Sequence, residues 1–363
     1  MVIAVILLSL FALCVIAAAL VDLVPTAREW VERIGIGFGT TEQVRAVAVG
    51  WLKKTPAVPI SDQTRFTLPE RLRGTYKSKN IQAWQQGALL LGIGDCAEGK
   101  AFAASLLQNG NWKTPVQRAD FALLAYAVLR VSDSEAVRPA MDQMYAFLKE
   151  QAGEGTVPYN PGLRNVRFVD TVGMVCPFLW LYAQTYHCPE AQALCMRQLS
   201  EYAEKGMHPT LHLPVHSLNV QNGAPLGIYG WGRGCGWYAL ALAELMCCGA
   251  DVTAYALPFA ESLLHVQQAN GAWSRQVLAE QGGESSATAM LGFFMAVLSD
   301  TVQDEKYRRA AQKAQVFLQT CIRKNGKVDY AQGDTKGIGF YSKRLSTMPA
   351  AQGFVLLLTE ALQ

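Results

Sequence analysis

Apolar positions recur along most of this chain at helical spacing, and they come in pairs of segments with contrasting patterns. Residues 119–131 (ADFALLAYAVLRV) are apolar on nearly every side, the pattern of a helix buried all round. The next segment is one-faced: Val137, Met141, Met144, Tyr145 and Leu148 fall at helical spacing with charges between them. Ser132 and Ser134 are its candidate N-caps. The alternation repeats in 81–93 with 96–108, 170–186 with 189–205, 236–248 with 252–268, and 285–299 with 304–323. Residues 41–54 and 350–362 add one helix each, for roughly a dozen in all.

Fully apolar helices alternating with one-faced helices suit two concentric layers, the inner covered on both sides and the outer facing water. Six such hairpins closed in a ring predict an all-α fold, an (α/α)6 toroidal barrel with an N-terminal hydrophobic helix. The alternative is an open α-solenoid, which a fixed repeat period would favour, and no such period stands out. Pro177 lies within the helix predicted at 170–186 and predicts a kink there. The loops 55–79, 153–168, 206–231 and 325–349 are long and rich in Gly and Pro, and are predicted to build a cleft on one rim.

The N-terminus is different. Val2–Leu20 carries no charge, and Ser9 is its one polar residue, so it is long enough to cross a bilayer as a helix. We divide the chain into a membrane anchor or signal segment at 1–25 and a barrel domain at 26–363. No Lys or Arg precedes the apolar run, although Ala17-Ala18-Ala19 is a candidate cleavage site. This favours an uncleaved anchor. The first cations, Arg28 and Arg33, follow the span, which predicts a cytoplasmic catalytic domain. With one long charge-free span, a transporter is excluded.

Composition narrows the partners. The chain is 51% hydrophobic and 17% charged, which argues for a large core and against disorder. A net charge of +3 without a long basic run suggests no nucleic-acid partner. The nine cysteines are odd in number, include an adjacent pair and form no C-x-x-C, so free thiols in a reducing compartment fit better than disulfides.

Asp120 and Asp170 each open an apolar helix after a polar loop. Either one alone reads equally as an N-cap. Together, on inner helices running the same way, they reach one rim as a carboxylate pair, the usual tool of glycoside hydrolysis. One of them must keep a proton near neutral pH. A helix N-terminus opposes this, while burial and a like-charged neighbour favour it, and these are predicted to win.

In Trp231-Gly232-Arg233-Gly234-Cys235-Gly236-Trp237, three glycines allow close backbone approach. Arg233 suits a carboxylate-bearing ligand, and Trp231 and Trp237 offer faces that stack on a sugar ring. The alternative is a tight glycine turn with two core tryptophans. Ser285 and Ser286 open another apolar helix, as caps or as hydroxyls for sugar binding, and no G-x-S-x-G surrounds them. His208, His212 and His216 are spaced by four, but Pro209 and Pro214 break the helix that this spacing would need, so no metal site is predicted. Gly35–Gly39 lacks the strand and downstream spacing of a dinucleotide loop, and no phosphate loop is present, so no cofactor is expected.

These motifs resemble those of glycoside hydrolase families 88 and 105. WGRGCGWYALALAEL (231–245) is similar to their W-G-R-G-N-G-W signature, and RFVDTVGMVCPFL (167–179) to their V-D-x-x-x-M-x-x-P-F-L helix start. ESSATAM (284–290) resembles E-x-S-A-x-A-M, and GIGFYS (337–342) falls where relatives carry a Gly-rich stretch. The resemblance runs in order over roughly 40–363. It implies an (α/α)6 barrel and an oligosaccharide substrate with a 4,5-unsaturated uronic acid at its non-reducing end. In this chemistry an acid protonates C4 of the enol ether, water adds at C5, and the hemiketal opens to release the next sugar. By position, Asp170 matches the general acid/base, and Asp120 matches the second carboxylate, which orients water and keeps its partner protonated. His216, Trp231, Arg233 and Trp237 match substrate-contacting residues, with Arg233 facing the uronate.

Two positions depart from the family pattern. Cys235 stands for the usual Asn, and Val157-Pro158-Tyr159-Asn160 stands where many relatives carry His-Lys. These departures and the leader motivate an alternative function, a catalytically altered barrel that binds a glycan or a protein partner. A sugar epimerase or lyase of the same fold is a third possibility, but it would need a His or Tyr base in place of paired acids.

Overall fold

A computed structural model describes residues 2–78, 81–279 and 282–363. Met1 of the leader and Lys79 of the 55–79 loop lie outside the described residues. In chain order the helices among the described residues are α1 (Val2–Arg33), α2 (Thr41–Lys53), α3 (Leu68–Leu72), α4 (Gln82–Ile93), α5 (Ala97–Ser105), α6 (Phe121–Val131) and α7 (Ser134–Ala152). They continue with α8 (Val169–Tyr186), α9 (Pro189–Lys205), α10 (Gly232–Cys247), α11 (Thr253–Val266), α12 (Ser285–Val302), α13 (Glu305–Thr320) and α14 (Pro349–Ala361).

The all-apolar helices are the inner ring. α4 packs on α6, α6 on α8, α8 on α10, α10 on α12, α12 on α14, and α14 returns to α4. That return contact closes the ring and rules out the open solenoid. The one-faced helices form the outer layer: α2 covers α4 and α14, α7 covers α6, α9 covers α8, α11 covers α10, and α13 covers α12. Each outer helix buries its apolar stripe, as Val137, Met141, Met144 and Leu148 do in α7.

Small residues set how closely the inner helices approach. A Cβ at Gly353 of α14 would lie 1.9 Å from the Ala88 carbonyl oxygen of α4. One at Gly173 of α8 would lie 2.4 Å from that of Trp237 in α10. Any larger side chain there would push the ring apart.

Several local expectations change. α10 begins at Gly232, four residues before the predicted start, so the WGRG motif is its first turn and not a loop. α5 ends at Ser105, and Leu107–Gln108 pairs with Asn111–Trp112 as a hairpin. The N-cap of α7 is Asp133, which accepts from the Glu135 and Ala136 amides at 2.9 and 3.2 Å, so neither Ser132 nor Ser134 caps it. α8 continues through Pro177 as one helix. The helical pattern also concealed a three-stranded antiparallel sheet in the long loops, formed by Val166–Phe168, Val215–Asn219 and Pro225–Tyr229.

α1 is 32 residues long and buries none of them. α12 is also long and apolar, but it is a core helix of the ring. The second half of α1 is bonded to two loops that lead into inner helices. Arg33 donates to Asp329 at 2.7 and 3.0 Å and to the Leu345 carbonyl at 2.8 Å. Arg323 joins Asp329 to Glu32, with both contacts at 2.7 Å. Ser346 donates to Glu29 at 2.7 Å, and Asp22 accepts from Thr67.

Candidate active site

The N-termini of the inner helices gather at one end of the ring, around a cavity of about 490 Å³. Trp84, Asp170, Met174, Trp231, Arg233 and Trp237 line it from the barrel. Arg118, Tyr159, Phe168 and His216 reach it from the loops, and 334–338 close another side.

The short sheet sets the central pair. Strand 166–168 runs directly into α8, which puts Asp170 in that helix's first turn. Phe168 pairs with Ser217 on the neighbouring strand, so His216 comes alongside. Its Nε2 lies 3.8 Å from Oδ2 of Asp170. That Oδ2 is buried without a hydrogen-bond partner. The carboxyl keeps 18% side-chain exposure, toward the cavity.

Burial raises the Asp170 pKa to about 7, against its own backbone amide and Arg233, and Asp334 pushes the same way. The direction is the one expected, and the like-charged neighbour among its main causes is Asp334. Burial lowers His216 to about 4, with Arg233 adding to the effect, so the imidazole is neutral at physiological pH. Its Nδ1 lies 3.1 Å from the Tyr341 hydroxyl, which already accepts from the Ile228 amide at 3.1 Å. A hydroxyl proton pointed at Nδ1 would put the imidazole proton on Nε2, facing Asp170.

Arg233 is 2% exposed. It donates to the carbonyls of Gln332 at 2.6 Å and Gly333 at 2.7 Å, and its guanidinium lies 5.5 Å from the Trp231 ring centre. Among the described residues no carboxylate lies within ion-pair distance of it. Asp334, whose pKa burial raises despite Arg233, lines the same cavity.

Trp231 and Trp237 are each 1% exposed, and both contribute to the cavity wall. Trp231 donates from Nε1 to Gln332 at 2.8 Å, and Trp237 meets Trp84 edge-on at 5.4 Å. The motif glycines serve close packing: a Cβ at Gly232 would lie 2.2 Å from the Ser274 carbonyl oxygen.

Other candidates land elsewhere. Asp120 is the N-cap residue of α6 but makes no side-chain capping bond, and instead of the cavity wall itself it lines a neighbouring pocket that shares Arg118 with this cavity. It sits behind two residues of the wall, accepting from Arg118 at 3.1 Å and from the Tyr159 hydroxyl at 3.4 Å. Burial raises its pKa despite Arg118. Ser285 and Ser286 are fully buried and do not line the cavity, so the expected sugar contacts are absent from this geometry. Glu284, not either serine, caps α12, accepting from the Ser286 and Ala287 amides at 2.9 and 2.7 Å. Cys235 is buried and does not line the cavity either.

Arg118, Asp334 and Tyr341 were not among the predicted residues. Tyr341 lay inside the noted GIGFYS segment and Arg118 two residues before Asp120, but Asp334 carried no local signal.

A family model, Glycosyl Hydrolase Family 88, matches residues 62–362. The chain belongs to glycosyl hydrolase family 88. This family 88 protein is a glycoside hydrolase. Its fold is shared with a possible member of family 105 from Salmonella enterica serovar Paratyphi A, at TM-score 0.70 and 17% identity, covering 90% of this chain and 95% of that one. It is also shared with an unsaturated glucuronyl hydrolase from Bacillus sp. GL1, described as responsible for glycosaminoglycan degradation, at TM-score 0.63 and 16% identity, covering 88% and 94%. A third similar structure is an unsaturated glucuronyl hydrolase specific for heparin, at TM-score 0.65 and 14% identity, covering 89% and 96%. Among curated proteins no match is found.

Proposed function

We propose that this hydrolase acts on oligosaccharides whose non-reducing end is a 4,5-unsaturated uronic acid, and that it releases the next sugar by hydrating the enol ether. One observation carries the reading: a carboxyl group with a pKa of about 7 and a buried guanidinium that, among the described residues, has no carboxylate within ion-pair distance line the same cavity. The first can deliver a proton at neutral pH. The second is a counter-ion for an acidic sugar.

In this reading Arg233 holds the uronate carboxylate, and Trp231 and Trp237 bound the ring. Asp170 transfers its proton to C4 as the C4=C5 electrons form the new C–H bond. Water adds at C5 and gives its proton back to the Asp170 carboxylate. The hemiketal then opens and the neighbouring sugar leaves. His216 lies 3.8 Å from Oδ2 and walls that side of the carboxyl, so the other oxygen is the reacting one. Asp120 serves from behind the wall by orienting Arg118 and Tyr159. Ser285 and Ser286 have no part in this scheme.

We also assign α1 as an uncleaved membrane anchor with the barrel in the cytoplasm. Its first residues are wholly apolar and unburied, and the nearest cations follow the span.

The test mixes full-length protein in detergent with unsaturated oligosaccharides made by a polysaccharide lyase. Hydration removes the conjugated C=C–COO⁻ chromophore, so ultraviolet absorbance falls with wild type and stays constant with Asp170→Asn. Binding without loss of absorbance for every uronate tried favours the second reading, a barrel that binds glycan only. The position of Asp120 off the wall is the observation on that side.

A further inference from the structure

The surface outside the cavity is not uniform. Beyond Leu20, among the described residues, every large apolar side chain that is more than half exposed lies in 23–38, in 66–72 or at Phe340, apart from Val316. Isolated exposed apolar residues are ordinary on a soluble domain, whereas a concentration on one region marks a contact surface.

Hydrogen bonds and ion pairs knit these segments together. Asp62 accepts from Ser342 and, at 3.1 Å, from the Lys343 amide. Arg344 donates to Tyr76 at 3.1 Å and lies 3.5 Å from Glu29 of α1. Thr67 donates to Asp22 of α1. The 55–78 and 325–348 loops lead into α4 and α14, so they stand at the end of the ring where the cavity opens.

The charge of this surface has one sign. In 22–38, 62–77 and 329–346 the exposed charged residues are Arg28, Arg65, Arg73, Lys77, Lys336 and Lys343. The acids of these segments are half-buried or buried, and most are engaged: Glu29 and Glu32 with Arg323, Asp329 with Arg33, Asp62 with Ser342. Exposed aromatic and aliphatic side chains among cations, beside a helix that is charge-free from Val2 to Leu20, are the composition of a surface at the headgroup level of an anionic bilayer.

We propose that the cavity end of the barrel rests on an anionic bilayer through the 62–77 and 336–343 loops and the second half of α1. Phe66, Leu72 and Phe340 enter the interface, and the exposed Arg and Lys residues meet lipid phosphates. The helix is then no loose tether. Its bonded second half holds the cavity mouth at a set position beside the membrane. This inference rests on the reading of α1 as an anchor.

The test uses full-length protein, one copy per nanodisc, in discs of phosphatidylcholine alone or of phosphatidylcholine with phosphatidylglycerol. Backbone amide exchange is followed by mass spectrometry. In discs containing phosphatidylglycerol, amides of 62–77 and 336–343 exchange several-fold more slowly than in phosphatidylcholine discs. Half-molar salt removes the difference by screening it. The double variant Arg65→Glu/Lys343→Glu also loses the protection, as does Phe66→Ser/Phe340→Ser. Equal exchange in both lipids, or protection confined to the opposite end of the barrel, overturns the proposal. Alkaline carbonate treatment of full-length protein in vesicles separates the two failures. Release defeats the anchor reading and this one with it, whereas retention with unchanged exchange defeats the docking alone. Neither result bears on hydration of the enol ether.

Discussion

His216 and Asp170 face each other across 3.8 Å, the imidazole neutral and the carboxyl held up to about 7. Both states come chiefly from burial, which disfavours charge on either group. At neutral pH the imidazole is therefore uncharged, and about half of the carboxyl population still has a proton to give.

The first prediction concerns pH. With Asp170 as the acid, kcat/KM is level below about 7 and falls tenfold per unit above it, as the proton is lost. At the acid end, rate declines as His216 gains charge near 4. Because Asp334 raises the Asp170 pKa, Asp334→Asn moves the alkaline limb to lower pH. Initial rates between pH 3.5 and 9 check this, and an unmoved limb in Asp334→Asn would exclude that coupling.

Stability should report the same carboxyl. A folded pKa raised above the model-peptide range means the cost of ionising Asp170 is absent below about 4. It grows as pH rises and is complete above about 7. Asp170→Asn therefore leaves urea stability unchanged at pH 4 and increases it above pH 7, by up to about 4 kcal/mol. A variant destabilised equally at both pH values would refute the assignment.

Arg233→Lys keeps a charge but cannot hold the Gln332 and Gly333 carbonyls and a substrate carboxylate together. KM should rise roughly 10–100-fold with a smaller change in kcat, the size expected for charge-assisted hydrogen bonds. Steady-state kinetics on one unsaturated disaccharide measure it.

Tyr341→Phe removes the hydroxyl that faces Nδ1 of His216. The imidazole proton is then no longer confined to Nε2, and nitrogen-15 chemical shifts of His216 should move toward a mixture of tautomers. We expect kcat to fall about tenfold with KM little changed, since the loss is one of alignment. Unaltered nitrogen shifts would show that Tyr341 does not select the tautomer.

Asp329 joins Arg33 of α1 to Arg323, at 2.7 Å from each, and its side chain is fully buried. Asp329→Ala removes the buried carboxylate between two guanidinium groups, which keep only their contacts with Glu29 and Glu32. It should destabilise the fold by roughly 3–5 kcal/mol, read from urea denaturation. A loss below 1 kcal/mol would mean that the network gives α1 little hold on the barrel.

Much of the architecture was legible before any coordinates. Helices buried on all sides, such as 119–131, carry no polar face, so the alternation with one-faced segments such as 134–152 encodes two layers directly. The start of α10 was misplaced because glycine lowers helix propensity. Here Gly232, Gly234 and Gly236 are demanded by Ser274, Trp231 and Met290 packed against them, which local pattern cannot register. Of the site, Asp170, His216, Trp231, Arg233 and Trp237 were found through motifs and do meet at one cavity. Ser285 and Ser286 opened an apolar helix just as Asp170 did, and only packing distinguishes a residue on the wall from one behind it.

The order of apolar and polar residues along the chain determined the helices, their two layers and the unburied N-terminal span, because these follow from periods of a few residues. Tertiary structure alone decided that the ring closes through α14 and α4, that Asp334 bears on Asp170, and that Tyr341 reaches His216. Those relations join residues more than a hundred positions apart. Their strength depends on distance and burial in the folded protein, and neither quantity is carried by the spacing of residues along a chain.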